Sequence, residues 1–248
     1  MTSRPPHSSA RATRPAATAA RRVRRPGPPP TTRRPATVGD TSTRHLIFEA
    51  AAHEFSTHGF DGASVDAIAR AAHVNKAMLY YHFASKIGLY RAIVGDMLRA
   101  VEAGVTELAA SRDTPTRKIE RFIATLAAQK AARPWFPPLM LREMSDGAPH
   151  LDAATLAHLR AIFTAFGSIL AAGAARGEFR RVHPVLAYVS IMGPMLMNAV
   201  RERAAAKHGR LDISLFAPVA TDELVSHMQL AARRMLAPLR ATPKGRQP

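Results

Sequence analysis

The chain has 248 residues, a formal net charge of +17 and no cysteine. The lack of cysteine excludes disulfides and thiolate metal sites and fits a reducing cytoplasm. No uninterrupted apolar run approaches the roughly 18 residues that cross a bilayer, so the sequence predicts no membrane partner. Hydrophobic residues make up 47% of the chain, which is enough for a packed core.

The positive charge is concentrated at the two ends of the chain. Residues 1–40 contain nine arginines, eight prolines and one aspartate, and residues 240–248 contain three basic residues and no acidic one. Segments of this composition cannot bury enough apolar surface to fold, so we expect disorder in both. Two interpretations of residues 1–40 stay open. They are an arm that adds salt-dependent, sequence-independent affinity for DNA, or the product of a start codon assigned too far upstream.

Residues 41–90 predict a compact domain of three helices. Apolar residues recur at helical spacing over 43–58, and Gly59 predicts the end of this first helix. Ser64 predicts the N-cap of a short second helix, and Asn75 predicts the N-cap of a third helix over 76–83. Between them lies a turn at 72–74. Two short helices joined by a tight turn predict a helix-turn-helix, and the alternative is an ordinary helical hairpin inside a bundle.

The third helix carries an unusual surface for a solvated helix. Leu79 and Phe83 are predicted to face inward, which leaves a polar and aromatic outer face: Lys76, Ala77, Met78, Tyr80, Tyr81 and His82. Exposed tyrosines are explained if this helix enters the major groove of double-stranded DNA, where side chains meet bases and phosphates. Lys86, at the start of a fourth helix, is predicted to bind a phosphate beside exposed backbone N–H groups.

This stretch resembles the DNA-binding domain of the TetR family of bacterial regulators. The resemblance covers residues 41–90 without gaps, and its matching positions are Ala50–Ala51, Phe55, Gly59–Phe60, Ser64–Val65, Ile68–Ala69, Val74, Leu79–Phe83 and Ser85–Lys86. It implies base contacts from Lys76, Ala77, Met78 and His82. It implies mainly phosphate contacts from Tyr80, Tyr81 and Lys86, with Ser64 as a further backbone contact and the capping Asn75 beside them.

Two positions depart from the family pattern. His73 stands where the family usually has Gly in the turn, and Glu54 stands where an apolar residue is usual, which predicts looser packing of helix 1.

The family implies an all-α homodimeric repressor with a small-molecule pocket in its C-terminal domain. Filling that pocket releases the operator DNA.

Residues 91–239 continue the helical pattern, and about nine helices are expected in total. The further predicted helices span about 85–112, 115–133, 135–144, 150–176, 184–207 and 221–239, with Thr114 as the cap of the helix that Pro115 opens and Thr221 as the cap of the last. In the helix to residue 176 the side chains predicted to face inward are Leu156, Leu159, Phe163, Phe166 and Leu170. The last two helices are apolar on more than one face. The helix over 184–207 has an apolar stripe of Val185, Val189, Met192, Leu196 and Val200. The helix over 221–239 has another, of Leu224, Met228, Ala231 and Met235. A helix that is apolar on two faces must be covered on both, which predicts a homodimer.

An effector pocket is predicted between the helices of this C-terminal domain, because pockets of helical domains are mostly apolar with a few polar groups. The candidate lining residues are Trp135, Phe136, Met140, Met144, Phe163, Phe166, Tyr188, Met192, Met195 and Asn198. Of these, Trp135 and Asn198 are the favoured candidates. The alternative is that each is an ordinary core residue. The abundance of methionine favours a small hydrophobic or aromatic effector.

No pattern of catalytic residues is present in the sequence. HExxH, GxSxG, P-loop and Gly-rich dinucleotide motifs are all missing, and the eleven histidines are scattered. His150 and His158 could share a metal, but solvated positions explain them better, so neither a metal, a cofactor nor an enzymatic activity is expected. The sequence predicts a cytoplasmic, nucleoid-associated repressor. The alternative is a sequence-independent architectural DNA-binding protein driven by its arginine-rich segment.

Overall fold

The computed structural model describes residues 38–208, 217 and 219–238. Side chains are described for residues 41–207, 217 and 219–238. These residues form helices and no strand. The helices are α1 (Val38–Gly62), α2 (Val65–Ala71), α3 (Lys76–Phe83), α4 (Lys86–Ala110), α5 (Pro115–Ala132), α6 (Phe136–Ser145), α7 (Ala153–Ala175), α8 (Pro184–His208) and α9 (Thr221–Leu236). The predicted all-α fold is confirmed. Residues 1–37 and 240–248, which belong to the two segments where disorder was expected, lie outside the described residues.

The first helix is longer than its sequence pattern predicts. It begins at Val38, inside the segment expected to be disordered, and helical structure continues to Gly62. The predicted stop at Gly59 is a kink, because this residue has φ of 75° and ψ of −179° and helical structure resumes for three residues after it. That conformation is accessible almost only to glycine. The buried face of α1, with Ile47, Ala51 and Phe55, forms the floor of the N-terminal domain.

Local capping defines the helices on either side of the turn. Ser64 Oγ accepts a hydrogen bond from the backbone N–H of Ala67 at 3.4 Å, and Asn75 Oδ1 accepts one from Met78 N at 2.9 Å. His73 has a positive φ of 55°, as expected for a turn position that often holds glycine. Leu79 is fully buried and Phe83 nearly so, which orients α3 on α1 and α2.

The C-terminal domain is a bundle in which α4 packs along α7, with α5 and α9 on one side and α6 and α8 on the other. Thr114 caps α5 in front of a proline at its first position, as the sequence predicts. The centre of the core is aromatic: the rings of Phe122 and Phe166 lie 5.3 Å apart, and both side chains are buried. Since α4 belongs to this bundle and also supports α3, it connects the two domains directly.

Two details of the sequence interpretation are wrong. Thr221 is the first residue of α9, and the capping position is Ala220, which has no side-chain acceptor. Leu156, predicted to face inward on α7, is exposed because it lies in the first turn, before the helix reaches the core. By length and composition α7 could also cross a membrane. His158 and Arg160 interrupt it, and it packs against α4, α5 and α8 as a bundle helix.

We predict that Gly59→Ala lowers the free energy of unfolding by about 1–3 kcal/mol, because alanine is strained at this positive φ. The new Cβ would also lie 2.5 Å from Arg142 Nη1. Thermal and urea denaturation followed by circular dichroism measures the change.

The matched control is Gly95→Ala in the middle of α4, where an added Cβ has nothing within 4 Å. Because alanine favours helix over glycine, this variant should gain about 0.5–1 kcal/mol. Equal stability changes in the two variants would show that the kink at Gly59 is not strained by a side chain.

Candidate nucleic-acid interface and ligand cavity

The outer face of α3 is exposed in the described structure. Tyr81 is 70% exposed and Tyr80 46% exposed, although both are large and partly apolar, and Lys76 and Ala77 beside them are also exposed. Exposed tyrosines on a short, well-anchored helix indicate a surface that binds a partner. The four residues therefore lie together at the place where a groove-binding helix would present them.

Met78 and His82 differ from their predicted neighbours because both are only partly exposed. They lie on the flanks of α3, between its outer face and its buried face. Asn75 is exposed, but its side-chain oxygen is already the helix cap. Its amide group is therefore the part that could donate to DNA.

The side chain of Lys76 is held by α2 across the turn. Its Nζ lies 2.6 Å from Asp66 Oδ1, and both side chains are more than half exposed. An exposed pair of this kind contributes little to stability, because water screens the charges. Lys76 can thus exchange Asp66 for another acceptor at small cost.

Lys86 lies against the connection between α1 and α2. Its Nζ donates to the carbonyl oxygen of Asp61 at 3.3 Å and lies 4.7 Å from the centre of the Phe60 ring. Ser64 is exposed at the start of α2, on the same connection. These contacts place a cation and a helix N-terminus at the side of the domain, where they suit a phosphate better than a base.

Glu54 has a role that the sequence interpretation missed. Its Oε1 accepts a hydrogen bond from Ser64 N at 3.1 Å, and its Oε2 lies 3.3 Å from His58 Nδ1. The carboxylate of Glu54 on α1 therefore binds the N-cap residue of α2. The sequence predicted looser packing of α1 at this position, whereas the side chain there joins α1 to α2. A glutamate ten residues before an N-cap serine gives no local signal, because the contact depends on how the two helices cross.

The comparison with known families agrees with this geometry in both domains. The family model for bacterial regulatory proteins of the tetR family matches residues 47–93, and the model for the tetracyclin repressor-like C-terminal domain matches residues 115–228. The chain belongs to the TetR family. It is accordingly a DNA-binding transcriptional regulator.

Individual relatives are regulators too. The chain is 34% identical over 93 residues to the HTH-type transcriptional repressor SCO4008 of Streptomyces coelicolor, a match that covers 38% of this chain and 45% of that one. It is 28% identical over 146 residues to the HTH-type transcriptional regulator RutR of Escherichia coli, covering 58% and 68%. The chain thus spans less than half of SCO4008 and about two thirds of RutR.

Solved structures show the same fold. The TetR family transcriptional regulator PfmR from Thermus thermophilus is 26% identical with a TM-score of 0.59, and the match covers 76% of this chain and 97% of that one. The ketosteroid transcriptional regulator KstR2 of Mycobacterium tuberculosis is 16% identical with a TM-score of 0.63, covering 79% and 95%. The second likeness concerns the fold alone.

The C-terminal domain of this TetR-family regulator contains an apolar cavity of about 290 Å³. Seven of the predicted pocket residues line it: Phe136, Met140, Met144, Phe163, Tyr188, Met192 and Met195. Burial alone raises the pKa of the Tyr188 hydroxyl to about 12. Because the phenol stays protonated at neutral pH, it is a hydrogen-bond donor in otherwise apolar surroundings.

Three predicted pocket residues do not line this cavity. Trp135 packs edge-on against Phe48 of α1, with ring centroids 6.2 Å apart. Phe166 is fully buried beside Phe122 in the core, and Asn198 donates to Glu202 one turn along α8. The reason is that helical spacing identifies inward residues but not whether they face the core, a cavity or another domain.

Half of the ten lining residues that sequence reasoning did not assign to a pocket come from α4 and α5. They are Met97, Leu98 and Val101 on α4, and Leu126 and Lys130 on α5; the others are Pro137, Leu159, Val189, Gly193 and Leu196. Their apolar spacing is the same as that of ordinary core residues, so no local signal distinguishes them. The cavity therefore touches α4, which supports α3, as well as α6 and α8.

Helix α6 lies between the cavity and the N-terminal domain. Phe136, Met140 and Met144 line the cavity. From the same helix, Trp135 at its N-cap contacts Phe48, and Glu143 contacts Tyr90. A helix that is apolar toward a cavity and bonded to the neighbouring domain can transmit a displacement from one to the other.

Glu143 is the centre of a buried polar cluster at this junction. Its Oε2 accepts from the Tyr90 hydroxyl at 2.7 Å and lies 3.0 Å from His150 Nδ1, and its Oε1 accepts from His150 N at 2.8 Å. The His150 ring lies 4.1 Å from that of Phe60, at the end of α1. One carboxylate thus joins α4, α6 and the α6–α7 connection beneath the N-terminal domain.

The hydrogen bonds of this cluster decide its charge. Burial disfavours the ionised form of Glu143, but the hydrogen bonds from Tyr90 and His150 outweigh it and lower the pKa of this carboxyl. Burial, together with the hydrogen bond to Glu143, raises the pKa of the Tyr90 hydroxyl. The cluster at neutral pH is therefore a carboxylate that accepts from a protonated phenol.

The two histidines considered as metal ligands are used separately. His150 contacts Glu143, whereas His158 Nδ1 lies 2.5 Å from Glu102 Oε2 on α4. Among the residues that the structure describes, no group of three or more histidine or acidic side chains is arranged to hold a metal. His150 instead joins the α6–α7 connection to α6, and His158 joins α7 to α4.

We predict that Glu143→Gln lowers the free energy of unfolding by about 1–3 kcal/mol at pH 7, because an amide cannot accept all three hydrogen bonds. The lowered pKa of Glu143 means that its stabilising effect is present above its ordinary value of 4.5 and is lost as the pH falls through the folded-state pKa. The difference between the variant and the parent chain should therefore shrink in acid. Urea denaturation from pH 7 to pH 3 measures this difference.

Glu107→Gln is the control, since Glu107 is an exposed residue of α4. A surface change of this kind should stay within about 0.5 kcal/mol at every pH. A Glu143→Gln deficit that does not change with pH would mean that the variant disturbs packing rather than a charged acceptor.

Proposed function

We propose that this regulator is a homodimeric repressor that binds a pseudo-palindromic operator through α3 and leaves it when a small apolar effector fills the cavity. The observation that carries this proposal is the position of α6, which lines the cavity and, through Trp135 at its N-cap, contacts Phe48 of the N-terminal domain. Its site of action is nucleoid DNA in the bacterial cytoplasm. We propose no catalytic role, and its named relatives are regulators.

DNA recognition is proposed for the outer face of α3. Lys76 and Ala77 lie at its N-terminal end, where the second helix of a helix-turn-helix meets base edges. Tyr80 and Tyr81 are exposed further along, in reach of the phosphates on either side of the groove. Met78 and His82 contribute from the flanks, and Lys86 and Ser64 bind phosphate beside α2.

Dimerisation is proposed for the outer faces of α8 and α9. The exposed apolar residues there are Val185, Leu186, Val189 and Met197 on α8 and Leu230 on α9. Val185 and Val189 belong to the stripe predicted from the sequence, whereas Met192 and Leu196 of that stripe line the cavity, and Val189 lines it as well. An exposed apolar strip across two helices is most simply covered by a second copy of the chain.

Release is proposed to act through α4 and α6 together. Both helices contribute side chains to the cavity, and both hold the N-terminal domain through Tyr90 and Glu143. A ligand that needs more room than the cavity offers would shift one helix against the other. In a dimer this changes the separation of the two α3 helices, so ligand and operator oppose each other by the same coupling free energy.

We predict that the chain protects a pseudo-palindromic site in the DNA that flanks its own gene. Lys76→Ala should weaken binding by at least about tenfold and, if it contacts phosphate, reduce the salt slope by about one. Footprinting and fluorescence anisotropy with excess nonspecific competitor at physiological salt measure both.

Arg99→Ala is the matched control, since Arg99 also forms an exposed ion pair but lies in the middle of α4. It should bind the operator like the parent chain. Even protection along the DNA that disappears with competitor would instead favour a sequence-independent architectural protein, in which the arginine-rich segment dominates.

A second prediction concerns the dimer. The double variant Leu186→Glu with Met197→Glu places two charges on the proposed interface and should be a folded monomer that binds the operator at least tenfold more weakly. Light scattering after size exclusion, with circular dichroism, measures mass and helicity.

Leu46→Glu is its control, because Leu46 is an exposed leucine on α1 in the N-terminal domain. It should leave the mass unchanged. A double variant that keeps the dimeric mass would place the interface on another face.

A further inference from the structure

One end of the cavity differs chemically from the rest. Of the residues that line it in the described part of the chain, Lys130 alone carries a charge, and its side chain is only 13% exposed. The other lining residues are apolar apart from Tyr188. A buried ammonium beside apolar walls requires a partner.

Lys130 lines the cavity and shares its carboxylate partner with Asn198, which does not line it. Lys130 Nζ donates to Glu202 Oε1 at 2.7 Å, and Asn198 Nδ2 donates to the same oxygen at 2.8 Å. The second Glu202 oxygen also lies 2.7 Å from Lys130 Nζ. The pair therefore forms a small receptor for one carboxylate.

The orientation of this receptor is fixed from behind. Asn198 is buried, and its Oδ1 accepts from Arg201 Nε at 3.1 Å and from Arg201 Nη2 at 2.9 Å. Because arginine only donates, the amide oxygen must face Arg201 and the NH₂ group must face Glu202. The donor direction of Asn198 thus follows from its surroundings.

The carboxylate that occupies the receptor is the most exposed member of the group. The Glu202 side chain is 42% exposed, whereas Lys130 is 13% exposed. Glu202 can therefore turn into water and keep its hydration, whereas the two donors stay buried and must be paired. An acid that enters from the cavity would replace it without leaving either donor unpaired.

We infer that the effector is an apolar carboxylate whose acid group displaces Glu202 from Lys130 and Asn198 while its chain or ring fills the cavity. This inference rests on the proposed function of the cavity as the effector site. A carboxylate is favoured over a larger anion because the receptor already holds a carboxylate with two converging donors. The apolar walls add affinity by burial, roughly fourfold for each CH₂ group until the cavity is full.

The probes are decanoate, decanol and decylamine, which share one chain and differ in charge. Binding to the full-length protein is followed by titration calorimetry and by the fluorescence of Trp135, whose ring lies 6.1 Å from that of the lining residue Phe136. We expect decanoate to bind at least tenfold more tightly than decanol, and decylamine more weakly than either.

Variants test the receptor directly. Lys130→Met keeps the length of the side chain and removes the charge. The affinity for decanoate should therefore fall at least tenfold, and the affinity for decanol should change little. Glu202→Gln removes the competing carboxylate and should bind decanoate severalfold more tightly. Lys118→Met is the matched control on α5, since Lys118 is bonded to the Ala109 carbonyl away from the cavity, and it should change neither affinity.

The outcomes separate this inference from the proposed function. If decanol binds as tightly as decanoate and both release operator DNA, the carboxylate receptor is wrong and the effector cavity stands. If none of the three probes binds while the footprint is intact, both the receptor and the cavity assignment fail, and only DNA binding remains. A preference for decanoate that survives in Lys130→Met would also overturn the receptor.

Discussion

The hydrogen-bonded carboxylate of Glu143 holds together the segments against which the N-terminal domain packs, since its partners Tyr90 and His150 contact Phe55 and Phe60 of α1. It belongs to α6, accepts from Tyr90 of α4, and is held by His150 of the connection to α7. A buried carboxylate is stable only while its donors are present. The junction therefore has one well-bonded arrangement, and a displacement of α6 must either carry α4 with it or break the cluster.

This constraint relates the cavity to the DNA-binding surface. The cavity side of α6 is apolar and adaptable, with Met140 and Met144. The opposite side of α6 carries Glu143, whose hydrogen bonds need Tyr90 and His150 in fixed positions. Methionines can rearrange around ligands of different shape, whereas the Glu143 cluster tolerates little change. Under the proposed function, a ligand would consequently be recognised loosely and still have a defined effect on the position of the N-terminal domain.

Charge is used differently in the two sites. On α3 the lysine Lys76 is exposed and its pair with Asp66 is weak, which suits an exchange of partners with DNA at the surface. At the cavity the Lys130 side chain is only 13% exposed, so little water reaches its ammonium and the carboxylate of Glu202 is its partner. The same residue type is therefore adaptable in one place and selective in the other, because the amount of surrounding water differs.

The sequence by itself determined the features that depend on neighbours along the chain. The caps at Ser64, Asn75 and Thr114, the positive φ of His73 and the buried side of α3 all follow from spacing within a few residues, and these agree with the structure. The all-α class and the family follow from the same local patterns. Seven of ten proposed lining residues also lie at the cavity, since its walls repeat with helical spacing.

Contacts between distant segments were decided only by the tertiary structure. Helical spacing could not show that Trp135 faces α1, that Met192 and Leu196 line a cavity, or that Glu54 caps α2. It could not show that Lys130 and Asn198, which lie 68 positions apart, donate to one carboxylate oxygen. The physical reason is that an inward direction is set by the helix, whereas the group met there is set by how helices cross.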